Sequence, residues 1–516
     1  MFTNKIRTLR QQGGFTIVEL LVVIVVIAIL ASIVIVSYNG IIQRAGEASV
    51  MADVNQNLKQ LALYEAQNSG YPSNCATANV KVASGNELTC NVSSNGNTFC
   101  LSVKRGTTSY VVTNTEQTAE NGLCSGTAKV KTGTEFTAIA SGQGASCGIV
   151  AGKAYCWGTN YIGQLGNGTT SDATVPTKVT DTGVLAGKTV TDISIGDAHG
   201  CAVASGAAYC WGEGSRGQLG QGVAADSTTP VAVSTSGVLA GKTVTKISAN
   251  GDQTCLVADG AAYCFGDSYQ GALGNGVSAR TVVSSPVAVT ASGVLAGKTV
   301  TDIFVGGYYS YNGCVIASGA AYCWGVNGWG QVGNNSTAYV TTPVAVSTAG
   351  ALSGKTVTDI AMYEYHTCAV ASGAAYCWGG NGNGYLGTGN TTSSLVPVAV
   401  STAGVLAGKT VTAISPGDYH TCAVANGAAY CWGNGTQGQL GNSGMVDSYV
   451  PVAVTATGVL AGKTVTAIAA GYNHTCALAD ARVHCWGDTV NWWPGSLGNG
   501  GSTGSNTPVL TTTPTL

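Results

Sequence analysis

The longest hydrophobic pattern in the chain is an almost unbroken apolar run over residues 15–36. A run of this length predicts one membrane-spanning helix, because roughly 20 apolar residues suffice to cross a bilayer. Apolar residues then continue at helical spacing, with Val50, Val54 and Leu61 among them. We therefore expect one long N-terminal helix over residues 15–69.

A shorter region with the pattern of β-strands follows the helix. Two strand-like runs flank a Lys-Arg-Gly turn, which predicts a small β region over residues 70–125. The four cysteines of this region allow three pairings. We favour Cys75 with Cys90 and Cys100 with Cys124, because this choice joins near neighbours, but the sequence leaves the pairing open.

From residue 136 onward, after a linker over residues 126–135, the pattern repeats about every 54 residues. Each repeat contains four short strand-like runs, such as TVTDIS, HTCAVA, AAYCWG and PVAV. A Cys-Trp-Gly element marks six repeats, and Phe265 replaces the tryptophan in the other one. Seven four-stranded repeats without helices predict an all-β, seven-bladed propeller over residues 136–516, preceded by a smaller α+β domain.

Two cysteines lie nine positions apart in every repeat. The pairs are Cys147 and Cys156, Cys201 and Cys210, Cys255 and Cys264, Cys314 and Cys323, Cys368 and Cys377, Cys422 and Cys431, and Cys476 and Cys485. If each pair lies directly opposite on a hairpin, the turn falls at favoured dipeptides such as Ser205–Gly206 and Asn426–Gly427. The cysteines then form a non-hydrogen-bonded pair, close enough for a disulfide. We predict seven disulfides rather than free core cysteines, and no zinc site, because two cysteines supply half a ligand set.

The connection lengths suggest how the strands join into blades. PVAV leads to the next TVTDIS through a short GVLAGK connector, as adjacent hairpin strands do. The longer stretch from Trp-Gly to PVAV suits a crossing between blades. This arrangement predicts that the C-terminal segment PVLTTTPTL pairs with the strand at residues 136–140 and closes the ring.

Composition and charge narrow the possible functions. Charged residues make up 9% of the chain and the net charge is −2, so the basic face that nucleic-acid binding requires is missing. Eighteen cysteines fit an oxidising compartment outside the cytosol. No nucleophile–base pair recurs near a histidine, and no phosphate-binding glycine loop follows a strand. We therefore expect no enzymatic activity, no cofactor and no metal.

The two faces of the predicted propeller differ in sequence. Antiparallel strands place the Ser-Gly turns and the GVLAGK connectors on one face, and the loops before the first cysteine and around Gly-Gln-Leu-Gly on the other. The first set is nearly uniform, whereas the second varies and gathers aromatic residues, which favours binding of a protein or glycan over mere packing of the loops. The candidates are Tyr308, Tyr309, Tyr311, Trp329, Tyr363, Tyr365, Tyr419, Tyr472, Trp492 and Trp493.

The recurring histidines and tryptophans are interpreted as structural. His199, His366, His420 and His474 occupy one position in four repeats, and we expect them to form hydrogen bonds that hold their loops. The Trp-Gly tryptophans are expected in the core. His484 lies on a predicted strand without an evident partner.

The start of the chain carries a processing signal. Basic residues precede the apolar run, which predicts a cytoplasmic N terminus and an exported remainder. Glu19 lies within the run, where a carboxylate needs a partner. The segment GGFTIVELLVVIVVIAILA resembles type IV prepilins and pseudopilins. The resemblance implies that a prepilin peptidase removes leader residues 1–14 after Gly14 and methylates Phe15, and that Glu19 pairs with the Phe15 amine of a neighbouring pilin subunit.

The repeats resemble the regulator of chromosome condensation family, whose units carry a similar His…Trp-Gly-x-Asn-x-x-Gly-Gln-Leu-Gly pattern. The best matches are residues 157–166 and 420–441, within a resemblance that covers residues 136–512. It implies the propeller fold, which by itself does not fix a function. Secreted inhibitor propellers that bind β-lactamases offer a parallel and favour protein binding.

These observations predict a minor type IV pilin-like surface protein whose propeller serves adhesion or partner binding. The alternative is a pseudopilin of a type II-like secretion system whose propeller binds cargo or a machine component. The precursor is expected in the cytoplasmic membrane and the mature protein in a filament at the cell surface. The expected partners are other pilin subunits, the prepilin peptidase and an unknown protein or glycan, but no nucleic acid.

Overall fold

The computed structural model divides the chain into two compact units, residues 1–133 and 134–516. The described residues are 49–50, 52–57, 59–61, 64, 80–92, 99–105, 108–113, 120–121, 123–125, 128–130, 135–307, 310–488, 490 and 493–514. The predicted membrane span, Gly14, Phe15 and Glu19 lie outside these residues. Among the helices that the described residues form, none is long and apolar enough to span a membrane.

The first unit packs a helix against an antiparallel sheet. Its described residues between 49 and 64 are helical. The sheet has the order β1 (Glu87–Val92), β2 (Phe99–Arg105), β3 (Thr108–Thr113) and β4 (Glu120–Asn121). A separate hairpin joins β5 (Leu123–Ser125) to β6 (Ala128–Val130). Val50, Val54 and Leu61, predicted at helical spacing, are fully buried and cluster with Leu101 and Val103 of β2.

Polar contacts fix the helix of this unit to the segment before β1. The Asn57 side chain donates to the Lys81 carbonyl oxygen at 2.6 Å and accepts from the Lys81 N–H at 2.9 Å. A carboxyl oxygen of Asp53 accepts from the Ala83 N–H at 2.8 Å. Cys90 and Cys100 are both disulfide-bonded. The pairing favoured above remains a prediction, because Cys75 lies outside the described residues.

The second unit contains seven four-stranded antiparallel sheets, the blades, each built from four consecutive strands. Blade 1 contains β7 (Phe136–Ser141), β8 (Ala145–Val150), β9 (Lys153–Gly158) and β10 (Ala173–Lys178). Blade 2 contains β11 (Val190–Ile195), β12 (His199–Ala204), β13 (Ala207–Gly212) and β14 (Ser227–Ala232). Blade 3 contains β15 (Val244–Asn250), β16 (Gln253–Ala258), β17 (Ala261–Asp267) and β18 (Val282–Ala288).

The remaining blades follow the same plan. Blade 4 contains β19 (Val300–Val305), β20 (Asn312–Ala317), β21 (Ala320–Gly325) and β22 (Val340–Ala345). Blade 5 contains β23 (Val357–Met362), β24 (His366–Ala371), β25 (Ala374–Gly379) and β26 (Ser394–Ala399). Blade 6 contains β27 (Val411–Pro416), β28 (His420–Ala425), β29 (Ala428–Gly433) and β30 (Ser448–Ala453). Blade 7 contains β31 (Val465–Ala470), β32 (His474–Ala479), β33 (Arg482–Gly487) and β34 (Ser505–Leu510). Short 3-10 turns occur at Gly183–Leu185, Gly237–Leu239, Tyr269–Gly271, Gly293–Leu295 and Gly458–Leu460.

Position within a blade determines what each strand buries. The first strand of every blade lines the central channel. The second strand is buried along its whole length, as in β12 and β24. The fourth strand forms the outer edge. Its buried position is the proline of the PVAV motif, for example Pro230 in β14. A proline lacks an N–H donor and is therefore tolerated at a sheet edge.

The seven predicted hairpin disulfides are confirmed, one in each blade. Each joins two cysteines that lie directly opposite each other on the second and third strands, with Cα atoms 4.0–4.1 Å apart. In blade order the bonds join Cys147 to Cys156, Cys201 to Cys210, Cys255 to Cys264, Cys314 to Cys323, Cys368 to Cys377, Cys422 to Cys431, and Cys476 to Cys485. All fourteen cysteines are fully buried, so the disulfides belong to the blade cores.

The turn between the two cysteines has positive φ at both central residues, 49° at Ser205 and 79° at Gly206. In blade 7 the second of these positions is Ala481, with φ of 60°, a conformation that favours glycine. The Ser-Gly and Asn-Gly dipeptides predicted at the hairpin turns therefore lie where their backbone preference is required.

The predicted closure of the ring by the C-terminal strand is wrong. Strand β34 pairs with β33 of its own repeat, and β7 pairs only with β8. The long stretch before each fourth strand does not cross between blades, because it folds back on itself. In blade 1 the Asn160 side chain donates to the carbonyl oxygens of Thr169 and Ser171, each at 3.0 Å, and accepts from the Leu165 N–H at 2.9 Å.

The GVLAGK connector makes the crossing between blades instead. It runs from the outer strand of one blade to the inner strand of the next, a distance of roughly three strand spacings of about 4.8 Å. Residues 233–243 between β14 and β15 are ample for this span, since an extended chain covers about 3.3 Å per residue.

A buried tryptophan fastens most blades to the one before it. Six of the seven repeats carry this tryptophan, and its indole N–H donates to a backbone carbonyl oxygen in the Gly-Gln-Leu-Gly loop of the preceding blade. The pairs are Trp157–Ser496, Trp211–Gln164, Trp324–Ala272, Trp378–Gln331, Trp432–Tyr385 and Trp486–Gln439, at 2.8–3.1 Å. The Trp157–Ser496 bond joins blade 7 to blade 1, so the ring closes through the same contact as five of the other six junctions.

Exchange of tryptophan and phenylalanine at this position tests the contact. Trp378→Phe deletes the indole N–H and part of a fully buried side chain, and we expect it to destabilise the propeller by about 1–3 kcal/mol. The free energy of unfolding is measured by urea denaturation of the full chain in detergent.

The reverse substitution in blade 3 is the matched control. Phe265→Trp places an N–H near the Gln218 carbonyl oxygen, which accepts the Thr254 hydroxyl at 2.8 Å. The Gln331 carbonyl already accepts two such donors, from Thr367 and Trp378. We expect Phe265→Trp to be neutral or to stabilise by up to about 1 kcal/mol. A clear loss of stability would contradict this account of the junction.

Candidate functional site

Five aromatic side chains form a continuous arc on the variable face of blades 4 to 7. This aromatic arc consists of Trp329, Tyr365, Tyr419, Tyr472 and Trp493. Tyr365 and Tyr419 stack with ring centroids 5.9 Å apart. The other neighbours meet edge to face, with centroids 5.9–6.4 Å apart. The arc thus brings five of the sequence-predicted aromatic residues into one surface.

The arc exists because equivalent loop positions recur at the same place in successive blades. Tyr365 and Tyr419 each immediately precede the histidine that opens the second strand, and Tyr472 lies one residue earlier in its loop. Loops of identical length therefore present their side chains side by side. Trp329 and Trp493 extend the row from the second loop set of blades 4 and 7.

A second set of residues surrounds the mouth of the central channel on the same face. We name it the rim ring: the residue two positions before the second strand of each blade. Its members are Gln143, Asp197, Gly251, Ser310, Glu364, Asp418 and Tyr472. Three of the seven are acidic, in a chain where only 9% of residues are charged.

The rim ring and the aromatic arc border one cavity of about 460 Å³. Its walls include the carboxylates Asp197, Glu213 and Glu364 and the phenol groups of Tyr161, Tyr365, Tyr419 and Tyr472. A shallower groove beside it, lined by Trp329, Tyr365, Tyr385 and Tyr419, has a volume of about 330 Å³. The two share Tyr365 and Tyr419, so the variable face offers one extended concave surface.

Burial shapes the electrostatics of this cavity. The Asp418 side chain is completely buried, and neither of its carboxyl oxygens has a partner with hydrogen-bond geometry. This burial, together with repulsion from the Glu364 carboxyl group, raises the pKa of Asp418 to about 9. Burial also raises the pKa values of Glu364 and Glu213 above the ordinary range. The rim ring is therefore acidic but only partly ionised at neutral pH.

Two predicted binding residues lie elsewhere. Tyr363 is only 3% exposed, and its hydroxyl donates to a carboxyl oxygen of Asp197 at 3.3 Å. This hydrogen bond joins blade 5 to blade 2. It therefore contributes to the channel rather than to an open face. Tyr311 belongs to a separate cluster, in which it contacts the Tyr269 ring at 5.2 Å and donates to Asp252 at 3.0 Å. Its position therefore falls outside the arc.

Three further candidates, Tyr308, Tyr309 and Trp492, lie outside the described residues.

The histidines hold neighbouring blades together rather than their own loops. Nε2 of His199, His366 and His420 lies 2.7–2.8 Å from the threonine hydroxyl of the next blade, and His474 reaches Ser146 in the same way. In three of these pairs the threonine hydroxyl donates to a loop carbonyl oxygen, so the histidine must be the donor to it.

The protonation state of the histidines agrees with this structural role. Complete burial lowers the pKa of His199, His366 and His420 to about 3 and that of His474 to about 4. These side chains are therefore neutral at physiological pH. His484 is likewise buried, on β33.

The uniform face has a structural explanation. The leucine of GVLAGK is buried in the blade core, as at Leu185 and Leu239. The lysine of the same connector lies over a tyrosine ring, for example Lys188 over Tyr209 at 5.7 Å. These packing roles account for the repetition of the motif without a ligand.

Within the described part of the chain, no three His, Cys, Asp or Glu side chains are placed to hold a metal ion.

The rim ring was not predicted from the sequence. Alignment of the repeats on the residue that opens the second strand would have revealed that carboxylates occupy the same position, 197, 364 and 418, in the equivalent loops of three repeats.

Comparison with known proteins finds family models that match segments in both units of the chain. The model of the regulator of chromosome condensation (RCC1) repeat matches residues 151–203, 205–257, 318–370, 372–424 and 426–478, and a second RCC1 repeat model matches residues 411–439. The prokaryotic N-terminal methylation motif matches residues 9–35.

Two known proteins are similar in sequence to the repeat region. The human (Homo sapiens) E3 ubiquitin-protein ligase HERC2 is 30% identical over 368 residues, which cover 70% of this chain but only 7% of HERC2. The ultraviolet-B receptor UVR8 of Arabidopsis thaliana is 28% identical over 380 residues, covering 72% of this chain and 80% of UVR8.

Solved structures support the fold alone. Human WBSCR16 and Prp20p of Saccharomyces cerevisiae each superpose with a TM-score of 0.57 at 21% identity. The match covers 68% of this chain and 89% of WBSCR16, and 67% of this chain and 82% of Prp20p.

Removal of the titratable carboxyl group of Asp418 is expected to change how stability depends on pH. An unfolded aspartic acid releases its proton near pH 4, whereas folded Asp418 holds it up to about pH 9. Between these values unfolding releases a proton, so rising pH destabilises the fold. We expect Asp418→Asn to raise the free energy of unfolding by at least about 1 kcal/mol at pH 8 and to have little effect at pH 5.

Thermal unfolding of the full chain at the two pH values, followed by circular dichroism, provides the measurement. Asp259→Asn serves as a control, because Asp259 is an exposed turn residue on the opposite face. Equal effects of Asp418→Asn at pH 5 and pH 8 would show that Asp418 does not titrate as described.

Proposed function

The chain belongs to the RCC1 repeat family and begins with a prokaryotic N-terminal methylation motif, and from this we propose that it is a minor pilin-like surface protein whose propeller binds a partner. In this role the N-terminal segment enters a filament, and the variable face of the propeller contacts a protein or glycan at the cell surface. The aromatic arc is the observation that carries the proposal.

The arc has the properties of a recognition surface. Tyrosine and tryptophan dominate the binding energy of interfaces, because they bury a large area while retaining a polar group. Trp329 is 55% exposed and open to contact. Mutual contacts already hold the rings in place, which reduces the conformational entropy lost when a partner binds.

The N-terminal motif supports assembly into a filament. We propose that cleavage after Gly14 exposes the Phe15 amine, and that Glu19 pairs with this amine of a neighbouring subunit. A carboxylate in an apolar environment gains most from such a partner. Disulfides in every blade fit the oxidising conditions that an exported domain meets.

Variants of the N-terminal motif test the assembly proposal. Gly14→Asp should block cleavage, so that the chain keeps its leader and remains in the membrane fraction. Glu19→Ala should still be cleaved but should be absent from shear-released filaments, because the pairing carboxylate is missing. Mass spectrometry of the N terminus and immunoblotting of the sheared fraction provide the measurements. Normal incorporation of Glu19→Ala would contradict the proposed pairing.

Variants of the arc test the binding proposal. Cells whose filaments carry Trp329→Ala together with Tyr419→Ala are expected to lose about tenfold or more in attachment to their target surface, as removal of hot-spot residues does. Deletion of residues 134–516 should abolish this attachment. Attachment is counted under flow, at equal amounts of displayed protein.

Tyr339→Ala is the matched control for the arc, because Tyr339 is a tyrosine of similar exposure, 53%, outside the arc. It should leave attachment unchanged. Unchanged attachment of the deletion strain would reject the adhesive role. Release of normal filaments that lack this protein, with loss of an exported cargo, would instead favour a pseudopilin of a type II-like secretion system.

A further inference from the structure

The cavity inside the rim ring combines negative charge with aromatic walls. Among the described residues, its lining includes Asp197, Glu213 and Glu364 but no lysine, arginine or histidine. The exposed Arg216 acts on Glu213 only as one of the weaker influences on its pKa. The described wall of this cavity therefore offers carboxyl and phenol groups to a positively charged ligand.

Asp418 provides a second, independent indication of a ligand. Its carboxyl group is fully buried and influences the pKa values of three residues that line the cavity, Glu364, Tyr419 and Tyr472. Neither of its oxygens has a partner with good hydrogen-bond geometry, although the Glu364 carboxyl group and the phenol groups of Tyr419 and Tyr472 lie close enough to influence its protonation or to be influenced by it. An unsatisfied buried polar group costs about 1–3 kcal/mol, and most such groups in folded proteins are satisfied. A positively charged group in the cavity would favour release of the Asp418 proton and would stabilise the resulting carboxylate together with Glu364.

The geometry favours an organic cation over a metal ion. No three carboxylates of the described chain converge as metal ligands, which must approach an ion to about 2.0–2.6 Å. The cavity volume of about 460 Å³ lies in the range of organic ligands. Its tyrosine rings add a further preference, because an ammonium or guanidinium group is attracted to an aromatic face within about 6 Å.

We propose that this cavity binds the ammonium or guanidinium group of a lysine or arginine side chain presented by a polypeptide partner. The inference rests on the proposed partner-binding function and specifies its chemistry. A polypeptide is favoured over a free polyamine because Tyr365 and Tyr419 belong both to the cavity and to the adjoining groove. One cationic side chain anchors the partner in the cavity, and the flanking residues of the same chain lie along the aromatic arc.

A lysine octapeptide is the probe for this site, and its fully acetylated counterpart is the uncharged control. Binding to the full chain in detergent is measured by isothermal titration calorimetry. The charged peptide should bind, and the acetylated one should bind at least tenfold more weakly. Asp197→Asn with Glu364→Gln should weaken binding of the charged peptide at least tenfold, because the variant removes two carboxylates of the cavity wall.

Asp259→Asn with Asp480→Asn removes the same charge from the opposite face and controls for nonspecific attraction. Asn426 occupies the equivalent turn position in blade 6 and makes the same bond, to the Thr410 N–H, as Asp259 makes to Thr243. The control should therefore fold normally and bind the peptide within twofold of the wild-type protein. Melting temperatures of both double variants establish that they are folded.

Other outcomes would overturn the inference or part of it. Equal affinity of the two double variants would show that the attraction is nonspecific. Spermidine binding as tightly as the octapeptide would reject a polypeptide as the ligand. Loss of cell attachment in the Trp329→Ala and Tyr419→Ala variant, with full attachment in the Asp197→Asn and Glu364→Gln variant, would reject the cationic anchor and leave the proposed function standing.

Discussion

A single backbone carbonyl oxygen at each blade junction organises the propeller. At the junction of blades 5 and 6, the Tyr385 carbonyl accepts the Thr421 hydroxyl and the Trp432 indole N–H, each at 2.9 Å. His366 of blade 5 lies 2.7 Å from the same threonine hydroxyl. These groups are fully buried, where an unmade hydrogen bond is costly, so neighbouring blades have little freedom to shift.

The variable face depends on these junctions. Tyr419 and Asp418 are the two residues directly before His420, and that histidine is hydrogen-bonded to Thr475 of the next blade at 2.8 Å. A contact that sets the spacing of the blades thus also sets the spacing of the aromatic arc and of the rim ring. The recognition surface needs no separate support, because the loops before the second strands lead directly into the most deeply buried strands of the blades.

The sequence predicted those features that repeat locally. The seven blades, their hairpin turns and their disulfides follow from positions a few residues apart, which strand alternation and turn chemistry constrain directly. The blade connections were predicted wrongly because the length of a loop does not tell whether it crosses or folds back. In blade 1 the hydrogen bonds of the Asn160 side chain fold the long loop back on itself.

The candidate site was predicted in part, for a related reason. The aromatic residues stand out in the sequence alone. The sequence does not show which of them are exposed, since Tyr363 and Tyr365 lie only two positions apart but have different surroundings. The rim ring was missed because its carboxylates come from different blades and share only their position, two residues before the second strand of each blade. The N-terminal motif was recognised from a short contiguous segment, and the prokaryotic N-terminal methylation motif matches residues 9–35.

The identity of blade and repeat has a genetic consequence. Each blade consists of four consecutive strands, and consecutive blades are joined by nearly identical GVLAGK segments. Recombination between two such segments therefore inserts or deletes a whole blade, with every hairpin and disulfide intact. Loops on the variable face can be exchanged between copies in the same way, so new binding surfaces can arise by shuffling complete units without disturbing strand pairing.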